Sequence, residues 1–446
     1  MEYKSNHFIE IAGNEKTYIM NKKKQGNGQV VELDSYGYDI FKIVLSVNSL
    51  SQSLEKIFEE YEIEDKKQVE KDIEYFILQL LDADLIYEIG KEKKSFSQLQ
   101  SNGYAQKMEE IQAVYLKEGK PFKFFLEITY KCNLKCVHCY RQEDIYLDEE
   151  SEEFFDDSKQ YISKEVIFQT LDEMEYMGVV ELYITGGEPF LHPNIFEIIE
   201  YASKKNFLLT VLTNGHIFSM MKCVEKIKNL NIYDIRISIY GSEKSHDNFT
   251  RSKGSYKKSM HALQSLNEAL GIGTGVFVLT TLNYDDSESV IKTFEELEIN
   301  LSINSIISPT ARGDLDPLEL RISNEQYYEF AKKHEIPIYG SKCSAGISRF
   351  RISPSGEVGP CELMDDISFG NIGMKKLSDI MNDNSRKAFI NEFRKYIEEH
   401  RCNSCKKREV CNFCPGYFQL ETGIKNTPSE YFCSIAGAKM KLMESR

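Results

Sequence analysis

Residues 132–139 read Cys-Asn-Leu-Lys-Cys-Val-His-Cys, which places Cys132, Cys136 and Cys139 in the spacing C-x3-C-x2-C directly after a strand-like run. Three thiolates from one tight loop can bind three irons of a cubane cluster and leave the fourth iron for an outside ligand. A zinc site is the alternative, but zinc usually takes four protein ligands and this loop offers three cysteines. His138 is a candidate fourth ligand on that reading, although a ring at this position also packs over a cluster. The spacing favours the cluster.

Strand-like and helix-like segments alternate on both sides of this loop. The strand-like runs are Phe122–Thr129, Glu181–Thr185, Leu208–Thr213, Tyr233–Ile239, Gly275–Thr281 and Leu301–Ile307. The helical segments between them include Lys164–Met177, Pro193–Lys204, Tyr256–Leu270 and Ser287–Leu297. Six β-then-α units predict an α/β fold with a parallel sheet and right-handed crossovers, whose ligands bind at the carboxyl ends of the strands. An acidic stretch, Asp148–Asp157, interrupts the first unit and is predicted to be a surface loop.

Short polar motifs follow these strands in order. Gly186-Gly187-Glu188 ends the second strand, Asn214 follows the third, and Ser238 ends the fourth, with Arg251 after it. Glycines permit close backbone approach, and a glutamate can accept a hydrogen bond from a ligand amine. Each motif alone is a common turn, but their succession at neighbouring strand ends indicates one binding site.

With these motifs, residues 120–310 resemble the radical S-adenosylmethionine (SAM) superfamily, which implies a partial (β/α)6 TIM-type barrel over 122–320. The resemblance implies that Cys132, Cys136 and Cys139 ligate a catalytic [4Fe–4S] cluster whose open iron is chelated by SAM. Cleavage of SAM then produces a 5′-deoxyadenosyl radical that abstracts a hydrogen atom. The implied SAM contacts are Tyr140 near the adenine, Gly186, Gly187 and Glu188 at the methionine amino end, Ser238 and Arg251 at the carboxylate or ribose, and Asn214 near the same pocket.

The remaining cysteines are concentrated near the C-terminus. The chain has eleven cysteines, none in its first 131 residues, and in an unsecreted chain this distribution indicates bound metal rather than disulfides. Cys223 stands apart in a helical stretch and is predicted to be a half-buried thiol. The others read Cys343-x12-Gly356-x4-Cys361, then Cys402-x2-Cys405-x5-Cys411-x2-Cys414, and finally Cys433.

This pattern resembles the SPASM domain, here over 340–446, which carries two auxiliary [4Fe–4S] clusters. The chain departs from it by having x2 rather than x3 before the sixth cysteine. By resemblance Cys402, Cys405, Cys411 and Cys433 ligate an outer cluster, and Cys343, Cys361 and Cys414 ligate an inner one. The inner set has three cysteines, so either another group completes it or a site is open to substrate. Zinc knuckles are the alternative for the paired C-x2-C arms.

Residues 1–100 form a predicted winged-helix-like α+β module. Strand-like segments (His7–Ala12, Thr17–Asn21, Val30–Asp34) precede helical ones (Tyr36–Val47, Ser51–Tyr61 capped by Ser51 or Ser53, Lys66–Leu81). The module resembles the PqqD-like leader-recognition domain, in which a peptide adds a strand to the sheet edge near Val30–Asp34 and packs on the third helix. A winged-helix DNA binder or a capping domain is the alternative, and the acidic helices argue against DNA. The polar stretch Gly90–Gly103 and residues 101–121 are the predicted linker to the barrel.

Composition limits the partners and the compartment. The formal charge of −15 argues against a general nucleic-acid binder, which needs surplus Lys and Arg. A search of the sequence finds no run of 18 apolar residues and no basic-then-apolar leader, so we expect neither membrane insertion nor secretion. Oxygen-sensitive clusters fit a reducing cytoplasm, where a flavodoxin or ferredoxin would donate electrons.

The three modules in this order resemble maturases that crosslink ribosomally made precursor peptides, with the leader on the N-terminal module and the core in the barrel. The similarity is nearest to the sactipeptide type, which joins a Cys sulfur to a carbon. A second enzymatic hypothesis is C–C or C–O crosslinking, or oxidation of a protein Cys or Ser to formylglycine. A non-catalytic iron–sulfur protein that senses redox state is the hypothesis from another class. SAM cleavage by the reduced protein separates the enzymes from the sensor.

Overall fold

The computed structural model describes residues 1–13, 16–22, 29–90, 101–141 and 161–445, with side chains from residue 106 in the fourth of these segments. The predicted acidic loop Asp148–Asp157 and residues 91–100 of the predicted linker lie outside the described residues. The N-terminal module has strands β1 to β5 and helices α1 to α3. In chain order they are β1 Tyr3–Ser5, β2 Phe8–Ala12, β3 Thr17–Asn21, β4 Val30–Leu33, α1 Ser35–Ser46, α2 Leu50–Glu60, α3 Lys66–Asp82 and β5 Ile86–Glu88.

Three antiparallel strands in the order β2-β3-β4 form the main sheet of this module. The helices begin at side-chain caps, since Asp34 accepts from the Gly37 amide and Asp65 from the amides of Lys67 and Gln68. The N-cap of helix α2 is Ser49, whose side chain accepts a hydrogen bond from the Gln52 amide. The predicted N-cap at Ser51 or Ser53 was therefore wrong, because the helix begins earlier in the chain. Two short strands that the pattern did not predict, β1 and β5, pair antiparallel.

A nine-stranded sheet organises the rest of the chain in the order β11-β10-β9-β8-β7-β6-β12-β13-β14. Its strands are β6 Lys123–Glu127, β7 Glu181–Thr185, β8 Leu208–Thr213, β9 Asp234–Ile239, β10 Thr274–Val278, β11 Asn300–Asn304, β12 Arg349–Ile352, β13 Glu357–Gly359 and β14 Gly370–Asn371. Strands β6 to β11 are parallel neighbours in sequence order, which confirms the predicted partial barrel. The helices that alternate with these strands or follow them are α5 Lys164–Tyr176, α6 Ile195–Ser203, α7 Met221–Ile227, α8 Glu243–Thr250, α9 Ser255–Leu270, α10 Ser287–Glu296 and α11 Asn324–Lys333.

Strand β12 joins the C-terminal region to the barrel. It pairs in parallel with β6, with Arg351 opposite Phe125, and then turns back through β13 and β14 as an antiparallel extension. Phe350 and Ile352 are buried on the helix side, while Arg349 and Arg351 occupy the inner face. The remaining helices are α12 Leu377–Asn382, α13 Asn384–Glu399, α14 Pro415–Thr422 and α15 Glu430–Ser445.

The predicted linker contains a packed helix, α4 (Ser101–Glu118). Ile111 and Tyr115, one turn apart, are buried in a cluster that also holds Ile9 and Met20 of the N-terminal sheet and Leu208 of the barrel. From the C-terminal region, Arg394 donates to the Leu116 carbonyl at 3.0 Å. This segment therefore packs against all three modules.

Within the parts of the chain that the structure describes, no helix combines the length and apolar character needed to cross a bilayer.

Candidate active site

The cysteine loop follows β6 and is held by backbone hydrogen bonds from two sides. On one side Gly187 donates to the Thr129 carbonyl (2.7 Å) and Glu188 to the Lys131 carbonyl (2.8 Å). On the other side the Val137 amide donates to Phe249 (3.0 Å) at the end of α8. Segments at the carboxyl ends of neighbouring elements thus hold the loop in place.

The three thiols of the loop lie close together. Burial, with the charges of Glu188 and Cys139, raises the pKa of Cys132 to about 12. Burial also raises the pKa of Cys136, and the nearby Cys139 and Cys132 raise it as well. Buried thiols of this kind become thiolates only beside positive charge, which the iron ions of a cluster supply. The donor set therefore fits the cluster that the spacing predicts.

Tyr240, which the sequence analysis did not assign a role, also contacts this loop. Its hydroxyl hydrogen-bonds to the Cys136 thiol and to Ser238. Its ring stacks on Phe249 with a centroid distance of 4.3 Å. The position of Tyr240, directly after β9, was the signal available in the sequence. Its hydrogen bond would orient Cys136 as a ligand.

His138 packs among aromatic rings. Its ring centroid lies 5.0 Å from that of Tyr240 and 4.8 Å from that of Phe249. Burial lowers the pKa of His138 to about 4, so the imidazole is neutral at physiological pH. These contacts support the packing interpretation of His138 over the role of zinc ligand.

Gly186 and Gly187 lie against the backbone that leads into the cysteine loop. A Cβ at Gly186 would stand 2.1 Å from the Thr129 carbonyl oxygen, and one at Gly187 2.3 Å from that of Lys131. Gly186 also has φ of 135°, a conformation that favours glycine. The glycines are thus required by the approach of two chain segments, in addition to any contact with SAM.

The Glu188 carboxylate is buried and engaged by the protein. It accepts from the Thr213 hydroxyl (2.8 Å), the Asn214 amide (2.8 Å) and the Phe190 amide (3.1 Å). Burial raises the pKa of Glu188, and these hydrogen bonds oppose the rise. In this geometry Glu188 joins the end of β7 to the end of β8. Its role toward the SAM amine stays a prediction.

Asn214 contacts the cysteine loop directly, since its side-chain amide donates to Asn133 Oδ1 at 2.7 Å. Ser238 is on the inner face of β9 and hydrogen-bonds to Tyr240. Arg251 is exposed, ends α8 and has φ of 52°, in a region that non-glycine residues rarely adopt. The structure thus brings the predicted residues of three strand ends around one loop.

Tyr140 points its hydroxyl into a buried ionic cluster, donating to Glu127 Oε1 at 2.9 Å. Glu127, fully buried at the end of β6, also accepts from Arg141 (3.2 Å) and from Arg351 (3.1 Å). Asp365 bridges the same two guanidinium groups, with Arg141 Nη1 at 2.6 Å and Arg351. This network, here called the Glu127 cluster, joins the cysteine loop to β12. A buried Glu in a strand and an Arg after the cysteine motif were the signals in the sequence.

The seven C-terminal ligand candidates form two groups. In the first group, burial raises the pKa of Cys343, Cys361 and Cys414. A neighbouring thiol of the group raises each pKa further. We call these three the inner group. In the second, burial and then the nearby Cys433, Cys411 and Cys405 raise the pKa of Cys402 to about 11. These four are the outer group, in which Cys405 and Cys433 are exposed.

The inner and outer groups have the same members as the two ligand sets that the resemblance implied, and the ligation itself stays a prediction. Among the described residues, no group of three or more His, Cys, Asp or Glu side chains lies close enough to hold one metal ion. A structural zinc ion takes four protein ligands, whereas the inner group supplies three cysteines, so its donor set fits a cluster with one outside ligand. Cys223 is buried in the core, on α7.

Comparison with known families agrees with each module. The radical SAM superfamily profile matches residues 126–295, the SPASM iron–sulfur cluster-binding domain matches 343–407, and coenzyme PQQ synthesis protein D (PqqD) matches 17–86. The fold and the cysteine loop thus define a radical SAM enzyme, which uses SAM and iron–sulfur clusters. More particularly, the chain combines a radical SAM domain with a C-terminal SPASM domain and an N-terminal PqqD domain.

Individual relatives are distant. The chain is 28% identical over 284 residues to the antilisterial bacteriocin subtilosin biosynthesis protein AlbA of Bacillus subtilis (strain 168), covering 59% of this chain and 60% of AlbA. It is 24% identical over 341 residues to an AdoMet-dependent heme synthase of Methanosarcina barkeri (strain Fusaro / DSM 804), covering 67% of this chain and 92% of that protein. The structure of Streptococcus suis SuiB bound to precursor peptide SuiA has a similar fold, with a TM-score of 0.60, 15% identity, and coverage of 97% of this chain and 100% of SuiB.

Proposed function

We propose that this enzyme installs intramolecular crosslinks, from a Cys sulfur to a carbon, in a ribosomally made precursor peptide. The observation that carries the proposal is a groove on the PqqD domain, on a chain that also holds the three-cysteine loop and the inner group. The matches to AlbA and to a heme synthase indicate that proteins similar to this chain act on different classes of substrate, so this similarity alone does not identify the substrate. The N-terminal groove is therefore the feature that favours a peptide.

The groove has a volume of about 600 Å³ and runs between β4 and α3. Strand β4 is the outer strand of its sheet within the described residues. The backbone of Val30–Leu33 can therefore pair with an added strand, as in β-augmentation. Tyr75 of α3, 64% exposed, and Phe76 line the opposite wall and offer apolar contact to alternate side chains of a leader.

The catalytic loop would hold a [4Fe–4S] cluster through Cys132, Cys136 and Cys139. When bound, the cluster and SAM supply the 5′-deoxyadenosyl radical that removes a hydrogen atom from the peptide. The chain's own part is positional, because the loop is fixed by Glu188, Asn214 and Tyr240 through the hydrogen bonds described above. Gly186, Gly187, Ser238, Arg251 and Tyr140 remain the proposed SAM contacts.

The inner group would hold a second cluster and the outer group a third. The inner group has three cysteines, so we propose that the peptide's own cysteine sulfur occupies the remaining position and is thereby held for bond formation. For each crosslink the 5′-deoxyadenosyl radical would take one hydrogen atom from carbon, and the cysteine thiol would lose its proton. Formation of the S–C bond would then release one electron, which the auxiliary clusters would accept. A cytoplasmic flavodoxin or ferredoxin is the proposed electron donor, in keeping with oxygen-sensitive clusters.

Tandem mass spectrometry of the precursor peptide encoded beside this gene, co-expressed anaerobically with the enzyme, tests the proposal. We expect a loss of two hydrogens per modified site, and fragments that locate the bond between a Cys sulfur and a carbon. The peptide should be unchanged with a variant in which Cys132, Cys136 and Cys139 are all alanine. An unmodified peptide, with 5′-deoxyadenosine still formed by the reduced enzyme, would retain the radical chemistry and overturn the peptide assignment.

Leader binding is measured separately by titrating the labelled leader into the full-length enzyme. Tyr75→Ala should weaken binding by about tenfold, since aromatic anchors in grooves contribute about 1.4 kcal/mol or more. Tyr176→Ala is the matched control, because Tyr176 lies on α5 and is 90% exposed. Equal affinity of the two variants would contradict the assignment of the groove.

A further inference from the structure

Arg349 lies between the barrel interior and the inner group. Its backbone amide donates to the Ser344 carbonyl (3.0 Å), next to Cys343, and its carbonyl accepts from Gly346 (2.9 Å). Its guanidinium pairs with Glu362, which directly follows Cys361. Backbone and side chain thus tie Arg349 to the segments that carry two of the three inner cysteines.

The guanidinium is also held from the barrel side. Its central carbon lies 4.3 Å from the ring centroid of Phe125, on the inner face of β6. Phe125 in turn stacks on Tyr183 of β7, with centroids 4.7 Å apart and planes 10° apart. Because the guanidinium rests on a rigid aromatic wall, its position relative to the inner group is fixed.

Two atoms of the pair are buried without a hydrogen-bond partner among the described residues, Arg349 Nε and Glu362 Oε2. A buried donor left without an acceptor is destabilising, so an acceptor is expected beside it. The charge of the guanidinium interacts with all three inner thiols, Cys361, Cys414 and Cys343. The unsatisfied donor therefore lies beside a site whose implied occupant carries negative charge and acceptor sulfurs.

We infer that Arg349 is a charge-compensating residue for the inner auxiliary cluster, whose N–H groups donate to cluster or thiolate sulfur. The inference rests on the proposed presence of that cluster. A fixed positive charge and N–H···S hydrogen bonds favour the reduced, more negative form of an iron–sulfur cluster, so they raise its reduction potential. Arg349 thus makes the inner cluster a better acceptor for the surplus electron. Glu362 moderates the effect with its opposite charge.

The test is a redox titration of the reconstituted full-length protein under anaerobic conditions and without substrate. Electron paramagnetic resonance monitors the inner cluster at each potential. Arg349→Gln removes the charge. At the wild-type midpoint potential, we expect the ratio of reduced to oxidised inner cluster in this variant to be at least tenfold lower than in the wild-type protein. A tenfold change corresponds to a shift of about 59 mV for one electron. Glu362→Gln should move the midpoint in the opposite direction, because it removes the negative charge and leaves Arg349.

Arg349→Lys retains the charge without the Nε–H donor and should shift the midpoint less than Arg349→Gln does. Iron and sulfide analysis accompanies each titration. Intact iron content with an unshifted midpoint in Arg349→Gln would overturn the inference. If Arg349→Gln fails to assemble the inner cluster, an upward shift in Glu362→Gln supports the inference and no shift overturns it. Wild-type protein that lacks the inner cluster altogether would refute the three-cluster proposal instead.

Discussion

The Glu127 cluster allows a stability prediction worked directly from the structure. Glu127→Gln leaves Arg141 and Arg351 with Asp365 as their remaining carboxylate, and it turns an amide N–H toward guanidinium N–H groups. Removing one member of a buried ion pair costs about 3–5 kcal/mol. Asp365 still neutralises one guanidinium, and the flanking Arg141 keeps the pKa of that carboxyl low despite its burial. We therefore expect a loss of about 3 kcal/mol, at the lower end of that range.

Urea denaturation under anaerobic conditions measures this loss. The chain has no tryptophan and 26 tyrosines, so tyrosine fluorescence and circular dichroism are the probes. With a slope of about 3 kcal/mol per M, the midpoint should fall by about 1 M. Glu200→Gln is the control, because its ion pair with Lys204 is exposed and removing it costs at most about 0.5 kcal/mol.

A double-mutant cycle separates the ionic effect from loss of packing. Arg351→Gln in the Glu127→Gln background restores the charge balance with Arg141 and Asp365. The double variant should therefore be more stable than the sum of the single losses predicts, by about 1 kcal/mol or more. A midpoint for Glu127→Gln equal to that of Glu200→Gln, or strict additivity in the cycle, would refute the reasoning.

Three further predictions concern other parts of the chain. Gly186→Ala should lower the iron bound at the catalytic loop by at least half, because its Cβ would overlap the Thr129 carbonyl. Gly90→Ala, also at positive φ but in open space, should retain the iron, and iron analysis compares the two variants. Burial lowers the pKa of Lys22 to about 8 from 10.5, so the unfolded chain binds more protons between these values and the free energy of unfolding should rise with pH there. Urea titrations at pH 7.5 and 9.5 should show this gain in wild type and not in Lys22→Met. Cys223→Ala should keep the full iron content, and any loss would assign Cys223 a ligand role.

Much of the fold was predictable because local patterns and global topology agree. Strands such as Leu208–Thr213 are apolar runs bounded by turns, and helices follow them at regular intervals, so the parallel barrel needs no tertiary information. The cysteine loop was equally predictable, since its three ligands lie within eight residues. The motifs of β7 and β8 were placed correctly at strand ends because parallel strands bring their carboxyl ends to one edge.

Long-range pairing was not predictable from these patterns. Strand β12 has four residues and alternates arginine with apolar side chains, which reads as an exposed segment until β6 is known to lie beside it. The Glu127 cluster likewise joins residues 224 positions apart, so no local period reports it. Glu188 was expected to face a ligand, and in the structure its carboxylate accepts hydrogen bonds from three donors of the protein. Buried polar partners of this kind depend on tertiary structure, not on spacing.

Under the proposed function, strand β12 also accounts for how two cofactor sites would act on one peptide. Arg349 and Arg351 are two residues apart on the same face, so their Cα atoms are separated by about 7 Å. Arg351 reaches the Glu127 cluster behind the catalytic loop, while Arg349 reaches the inner group. Because β12 is hydrogen-bonded to β6 within one continuous sheet, the sites are held in register by the sheet and not by a hinge between domains. The sheet would then set the distance between the site where the carbon radical forms and the site that holds the sulfur. A fixed distance of this kind favours crosslinking within one peptide, because it holds the two reacting groups in a defined arrangement.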